Sequence, residues 1–346
     1  MKEQKLTVGT FFNKLLAGTA TGIIIGLIPN AVLAAILKYI AFIPGIPILI
    51  NAGVIFQMAT PLIIGALIAQ QFNMTPPRAM VIAGATFVGS GVIKYLPDTK
   101  TFVGAGTGDV FNIMITAALA VLVVMWIDNK FGSTEIILMP IVAGAGVGFI
   151  GMLLYPYVTL ITVGIGNLIN NFTALQPLLM SILIASSFSL LIISPITTVG
   201  IGLAIQLNGL SAGAAAMGIA ATTLVLIVHS WKVNESGVTL AVALGGMKMF
   251  MPNLFRHPVI IIPTLFSAII SGLFVPLFNI VGTPQSAGFG LVGLVGPLAS
   301  LDGGLNGLLV VVAWLLIPLA SALLGKALFE RVLHLYRGEE VFKFLG

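Results

Sequence analysis

Cysteine is absent from this sequence of 346 residues, and charged residues are scarce. Without cysteine the chain forms no disulfide, no thiolate metal site and no cysteine phospho-acceptor. Asp, Glu, Lys and Arg make up 7% of the residues, whereas soluble domains carry about 25%. Because 58% of the residues are hydrophobic, we expect the chain to fold in a lipid bilayer rather than in water.

Catalytic and cofactor motifs are also missing. The sequence has no HExxH, no GxSxG and no kinase signature, and the stretch GTPQSAGFG (282–290) lacks the GK[ST] ending of a phosphate-binding loop. No cluster of residues has metal-ligand spacing. We therefore expect no catalytic residues, no cofactor and no metal ion. The net charge of +5 is interpreted as topology information rather than as a sign of nucleic-acid binding.

Glycine and proline, by contrast, are abundant, with 40 and 18 residues. Glycine lets helices approach closely and proline interrupts them, so we predict an all-α polytopic membrane protein with broken helices, forming a single domain over 1–346. A Gly-rich stretch over 283–297 is predicted to be re-entrant. The ten predicted crossings are 15–37, 47–69, 78–95, 107–127, 136–163, 178–207 (interrupted near Ser194-Pro195), 212–231, 237–251, 259–278 and 305–333.

Lysine and arginine predict the orientation. They precede the first crossing and end the chain, so both termini should be cytoplasmic in a multi-pass protein of the bacterial plasma membrane. The basic start has no cleavage site and is interpreted as a lead-in to the first helix. Supporting positions are Lys2, Lys5, Lys14, Arg78, Lys130, Lys248, Arg256, Lys326, Arg331, Arg337 and Lys343, whereas Lys38, Lys94, Lys100 and Lys232 fall on the outside and disagree.

An internal repeat is a further hypothesis. Pro29 and Pro195 occupy similar places, and residues 78–95 and 106–124 resemble residues 215–232 and 302–320. Five helices in each half (11–172 and 173–338) would give the halves opposite orientations, as in many transporters.

The stretch 229–297 gathers polar residues beside apolar segments that are too short to span a bilayer, which is how secondary transporters build solute sites. Glu235 could accept hydrogen bonds from sugar hydroxyls, or be a solvated loop acid. His229 could contact solute, or be structural. Asn234 and Lys232 accompany them, although Lys232 also fits an interfacial anchor. Gln285 and Ser286 are further candidates for solute contact.

Three residues near helix ends complete the candidate solute site. Asp109 and Asn112 open the fourth predicted crossing, where Asp109 is equally well explained as a helix cap, and Asp302 is their repeat counterpart. A cytoplasmic turn holding Asn253, Arg256 and His257 could dock a partner protein, although positive-inside topology also explains its charges.

These motifs resemble a known family. The run NESGVTLAVALGG (234–246) is similar to the acidic motif of the membrane IIC components of the bacterial sugar phosphotransferase system, which in fructose-type proteins is Thr-Glu-Gly before an apolar run. PVIIIPTLFSAIISG (258–272) is similar to the helix that follows it. With GTGDVFN and GTPQSAGFGLVGLVGP, the chain resembles the branch of IIC-like proteins that includes the perfringolysin regulator.

The resemblance implies a homodimer of ten-helix protomers that translocates a sugar while a IIB partner phosphorylates it, with Glu235 in the solute-contacting position and His229 beside it. This chain has Asn-Glu-Ser-Gly in place of Thr-Glu-Gly and no fused IIA or IIB domain, so phosphorylation would be supplied by separate proteins. Two alternatives stay open: an ion-coupled carrier that uses Asp109 or Asp302, and a ligand-sensing regulator that acts through the Arg256–His257 turn.

Overall fold

The computed structural model describes residues 7–37, 40–104 and 106–345. The described residues are mainly helical, and their strands β1 (Ile93–Leu96) and β2 (Thr101–Gly104) form one exposed antiparallel hairpin. The predicted all-α polytopic fold is confirmed. Lys2, Lys5 and Lys38, which entered the orientation argument, lie outside the described residues.

The chain forms two compact units, and both α1 (Val8–Leu37) and α7 (Val147–Phe172) are divided between them. The first unit comprises the described residues of 7–30 and 43–160. Its other helices are α2 (Ile46–Met58), α3 (Thr60–Gln71), α4 (Pro76–Gly89), α5 (Val110–Ile127) and α6 (Glu135–Met139), with a π-helical stretch at Pro140–Gly146.

The second unit comprises residues 31–37, 40–42 and 161–345. Short 3-10 turns at Gly246–Phe250, Pro258–Ile260, Ser286–Gly288 and Val292–Leu294 and π-helical stretches at Val312–Leu316 and Ala327–Val332 connect its helices. Those helices are α8 (Pro177–Leu191), α9 (Thr198–Ala204), α10 (Gly209–Ser230), α11 (Ser236–Ala243), α12 (Met251–Arg256), α13 (Ile261–Leu277), α14 (Val295–Asp302), α15 (Gly307–Val311), α16 (Ile317–Lys326) and α17 (Gly338–Val341).

Six helical stretches of the described chain are long and apolar enough to cross a membrane, or seven if the bent pair of α2 and α3 is one span. With the bent pair counted as one span, the seven stretches correspond to seven of the ten predicted crossings. The other three predictions, at 78–95, 178–207 and 237–251, fall on α4, on α8 with α9, and on α11, all of which are shorter. The last two are segments that enter and turn back.

Helix α10 forms the core of the second unit and packs against α8, α13 and α16. Its first half is rich in Gly and Ala, and a Cβ at Gly218 would overlap the carbonyl of Ala185 in α8. A capping box of Asn208 and Ser211 fixes its start. Small residues therefore let neighbouring backbones approach α10 closely.

Candidate functional site

Three segments of the second unit enter from an end of α10 and return to the same end. The first, residues 177–208, contains α8 and α9. Ser189 O of α8 accepts a hydrogen bond from the Thr222 hydroxyl at 3.0 Å, and Ala185 lies beside Gly218, so α8 runs parallel to α10 from its Gly209 end. After the break at 192–197 the chain leads back to Gly209. The break predicted at Ser194-Pro195 is confirmed, but the predicted crossing over 178–207 is wrong because its two halves run in opposite directions.

The second segment, residues 236–256, enters from the other end of α10. Asn234 precedes it and Asn253 lies near its end, and both side chains bond the backbone of residues 341–344. Both ends of the segment therefore lie at one end of the unit. The predicted crossing over 237–251 is wrong for this reason, and the opposite placement of Lys232 and Arg256 across the membrane is wrong with it.

The third segment, residues 281–303, enters from the Gly209 end. Gly209 and Gly282 exchange two backbone hydrogen bonds of 3.0 and 3.1 Å, which fixes where the segment begins. The Ser300 hydroxyl then donates to Val281 O at 3.1 Å, so the segment returns to where it started. This geometry agrees with the re-entrant stretch predicted at 283–297.

The tips of these three segments meet, and we call this place the junction: residues 192–198, 244–250 and 288–292. The Thr198 hydroxyl donates to Gly288 O at 2.9 Å, and a Cβ at Gly288 would overlap the Val199 backbone. Gly245, with φ of +125°, lies against Val292. Glycine is required at these contacts because any side chain would separate the tips.

The third tip of the junction lies about halfway along α10. Gly290, two residues after Gly288, lies against Ile219 of α10. Ile219 is ten residues after Gly209, where α10 begins. At 1.5 Å per residue this is roughly 15 Å from either end of the helix, near the middle of a hydrocarbon layer of about 30 Å. Broken helices that meet at this depth are the arrangement with which carriers surround a solute.

Lys248 is the charged residue of the junction, and sequence reasoning missed it. Its side chain is 7% exposed, and its Nζ donates to Ser194 O at 2.6 Å and to Ile196 O at 2.8 Å. These carbonyls belong to the break between α8 and α9, where the helix no longer satisfies them. From the sequence alone, Lys248 indicates only topology. Its apolar neighbours in GGMKMF are the feature that could have identified it as buried.

His229 contacts the chain's own C-terminal segment, residues 334–345. Its Nδ1 lies 2.8 Å from Val225 O, so this nitrogen donates, and Nε2 accepts from the Tyr336 hydroxyl at 2.9 Å. Burial raises the pKa of Tyr336, which keeps that donor protonated. The imidazole also stacks on Phe342 with ring centroids 4.1 Å apart. All polar atoms of the imidazole thus have partners inside the protein.

Asn234 and Asn253 also contact the C-terminal segment. Asn234 donates to Phe342 O and accepts from the Phe344 N–H, both at 2.7 Å. Asn253 is fully buried and donates to Val341 O at 2.9 Å and to Lys343 O at 2.7 Å. A partner protein would therefore meet the surface around Asn253 rather than its amide.

The remaining residues of the predicted solute site lie away from the junction or have local roles. Glu235 and Lys232 are exposed where the second re-entrant segment begins. Gln285 is exposed, whereas Ser286 is buried and its hydroxyl closes a turn with Thr283 at 2.8 and 3.1 Å. The sequence stretch 229–297 thus contributes two junction tips, but mostly through residues other than those predicted.

In the first unit, Asp109 and Asn112 join helices. Asp109 accepts from the Asn112 backbone N–H at 2.9 Å as the cap of α5. The Asn112 amide donates to Gly89 O and Gly151 O at 2.5 and 2.9 Å, tying α5 to α4 and α7. The repeat counterpart Asp302 is exposed at the end of α14 in the second unit.

A cavity of about 420 Å³ lies beside the C-terminal segment. It includes Arg256 and His257 of the predicted docking turn together with Arg337, Glu339, Glu340, Lys343 and Leu345. Most of these side chains are exposed. The docking turn and the C-terminal segment thus form one charged surface.

A second cavity, of about 840 Å³, lies in the first unit between α4 and residues 132–145. Its lining is mostly apolar, and at one end Arg78 Nε donates to Glu135 Oε1 at 2.6 Å. Arg78 Nη2 also donates to Asp128 O at 2.6 Å. The guanidinium therefore joins the start of α4 to the connection between α5 and α6.

The chain matches a known protein family. A family model described as "Phosphotransferase system, EIIC" matches residues 13–343, which is nearly the whole chain. No curated protein and no solved structure matches this chain.

Proposed function

Because the chain belongs to the phosphotransferase system EIIC family, whose members are sugar-specific membrane permeases, we propose that it binds its solute at the junction of the three re-entrant segments. Family membership gives the class of transport. The contacts among the segment tips support the location, because they gather broken helices, glycine backbone and a buried cation inside the second unit.

In this proposal the three tips move apart and together as the solute passes. The second re-entrant segment enters from one end of α10, and the other two enter from the opposite end. A shift of either set would open the junction toward its own side of the membrane. Such a movement of re-entrant segments around a fixed site is alternating access.

Phosphorylation would come from separate IIA and IIB proteins. The chain has no cysteine to accept a phosphoryl group, and the charged surface with Arg256 and His257 is the proposed docking place of the IIB protein. Both termini would then lie in the cytoplasm of a bacterium. The homodimer is proposed on the family likeness.

Uptake measurements test the proposal. Cells that express the protein with a phosphoenolpyruvate-dependent phosphoryl supply should accumulate a radiolabelled sugar in phosphorylated form. This accumulation should stop when the phosphoryl supply is removed. Uptake that continues without phosphoenolpyruvate and collapses with an uncoupler would instead establish the ion-coupled carrier. Binding without uptake would establish the sensor.

A further inference from the structure

Among the residues that the structure describes, Lys248 forms no ion pair. Of the Lys, Arg, Asp and Glu residues described in the second unit, Lys248 alone is buried. The described ion pairs of the chain join Arg78 to Asp128 and Glu135, in the first unit. The ammonium therefore faces two neutral carbonyls. An isolated charge is costly in a buried, weakly polar place.

The ammonium also has unused donor capacity. It carries three N–H groups, and within the described chain two of them are used, on Ser194 O and Ile196 O. Both partners belong to the tip of the first re-entrant segment, whereas Lys248 belongs to the tip of the second. The third N–H has no acceptor among the described residues.

The carboxylates of the second unit lie elsewhere. Glu235 is exposed where the second segment begins, and Asp302 is exposed where the third returns. Glu330 accepts from the Gly338 N–H, and Glu339 and Glu340 line the cavity beside the C-terminal segment.

A neutral sugar is usually held by side-chain acceptors for its hydroxyls, whereas the hydroxyls of Ser194, Thr197 and Thr198 at the junction already bond backbone groups. The charged group there is an ammonium. An anionic group on the solute would neutralise the charge and accept the remaining N–H in a charge-assisted hydrogen bond.

We propose that Lys248 binds the carboxylate of an acidic sugar, so that the solute is a uronic or aldonic acid rather than a neutral sugar. This inference rests on the proposed function, because it takes the junction as the solute site. A purely structural lysine that only caps the carbonyls of the α8–α9 break is the competing explanation.

Thermal unfolding of the purified protein separates the two explanations. The probes are D-glucose and D-mannitol on one side and D-gluconate, D-glucuronate and D-galacturonate on the other, at equal ionic strength. A ligand that binds only the folded state raises the unfolding midpoint in a saturable way. We expect a saturable rise with at least one acid and none with the neutral probes.

The variant Lys248→Gln keeps an amide donor for the carbonyls and removes the charge. We expect it to lose at least tenfold in affinity for the acid, while Lys94→Gln, on the exposed hairpin of the first unit, leaves the affinity unchanged. Equal shifts with acidic and neutral probes, an acid shift that survives in Lys248→Gln, or no acid-specific shift in the panel would each overturn the inference. The wild-type comparison of acids with neutral probes needs no variant to fold.

Uptake distinguishes this inference from the proposed function. Phosphoenolpyruvate-dependent uptake of a neutral sugar that is unimpaired in Lys248→Gln would remove the inference and leave the proposed function standing. Acid-specific binding through Lys248 without phosphoenolpyruvate-dependent uptake would remove phosphoenolpyruvate-coupled transport and leave Lys248 as the binding group for an acidic sugar.

Discussion

Asn234 and Asn253 bind the same short stretch of backbone, residues 341–344, from the two ends of one re-entrant segment. Their side-chain amides act as a pair of anchors, and His229 stacks on Phe342 within the same stretch. The C-terminal segment is thus an integral part of the second unit. It joins the proposed docking surface to the segment that carries Lys248.

The first prediction concerns Asn253→Ala. The carbonyls of Val341 and Lys343 would lose their donor, which should lower the free energy of unfolding by about 1–3 kcal/mol. Asn171→Ala, at an exposed position of α7, is the control and should change it by less than about 0.5 kcal/mol. Thermal unfolding in detergent measures both. Equal midpoints for the two variants would contradict the anchoring role.

The second prediction concerns membrane topology, and the absence of cysteine makes it easy to test. Single cysteines in place of Lys232 and Lys343 should react with a membrane-impermeant maleimide from the same side of the membrane, because the second segment returns to the end where it began. A cysteine in place of Asp302 should react from the opposite side. Labelling of the Lys232 position from the Asp302 side would restore a crossing at 237–251.

The third prediction concerns Gly288→Ala. A methyl group there would overlap the Val199 backbone and push the first and third tips apart, at a cost of about 1–3 kcal/mol, and uptake should fall. Gly237→Ala in α11 is the matched control, since a Cβ there meets nothing within 4 Å. Initial uptake rates and thermal midpoints give both effects. Normal uptake by Gly288→Ala would argue against solute binding at the junction.

The fourth prediction concerns Glu235→Gln. The family likeness places this carboxylate beside the solute, but it is exposed about ten residues before the tip, roughly 15 Å of helix away. We therefore expect uptake to fall less than in Gly288→Ala. If uptake is abolished while the unfolding midpoint stays unchanged, Glu235 belongs in the solute site after all.

Local chemistry explains which features were predictable from sequence. The break at Ser194-Pro195 and the irregular turn through GTPQSAGFG follow from proline and glycine, whose effects on the backbone are local. The long spans were predictable for the same reason, because the length of an apolar run is also a local property of the sequence. The cap at Asp109 was one of two interpretations left open, and the structure has this cap.

The direction in which a broken segment continues could not be predicted, because it depends on contacts between distant residues. The return of the second segment rests on Asn234 and Asn253 bonding residues about 100 positions later. Lys248 was missed for a related reason. A lysine in a short connection indicates topology unless its neighbours in space are known, and here those neighbours are the carbonyls of Ser194 and Ile196.

The small side chains of α10 have a consequence for how this protein can vary. The first half of α10 meets α8 at Gly218 and the third segment at Gly290 and Gly282, through backbone and methyl groups. An enlarged residue at Gly218 would therefore displace α8, and one at Gly213 would displace the start of the third segment. Sequence drift in this permease should be slowest along that half-helix and fastest on its lipid-facing neighbours.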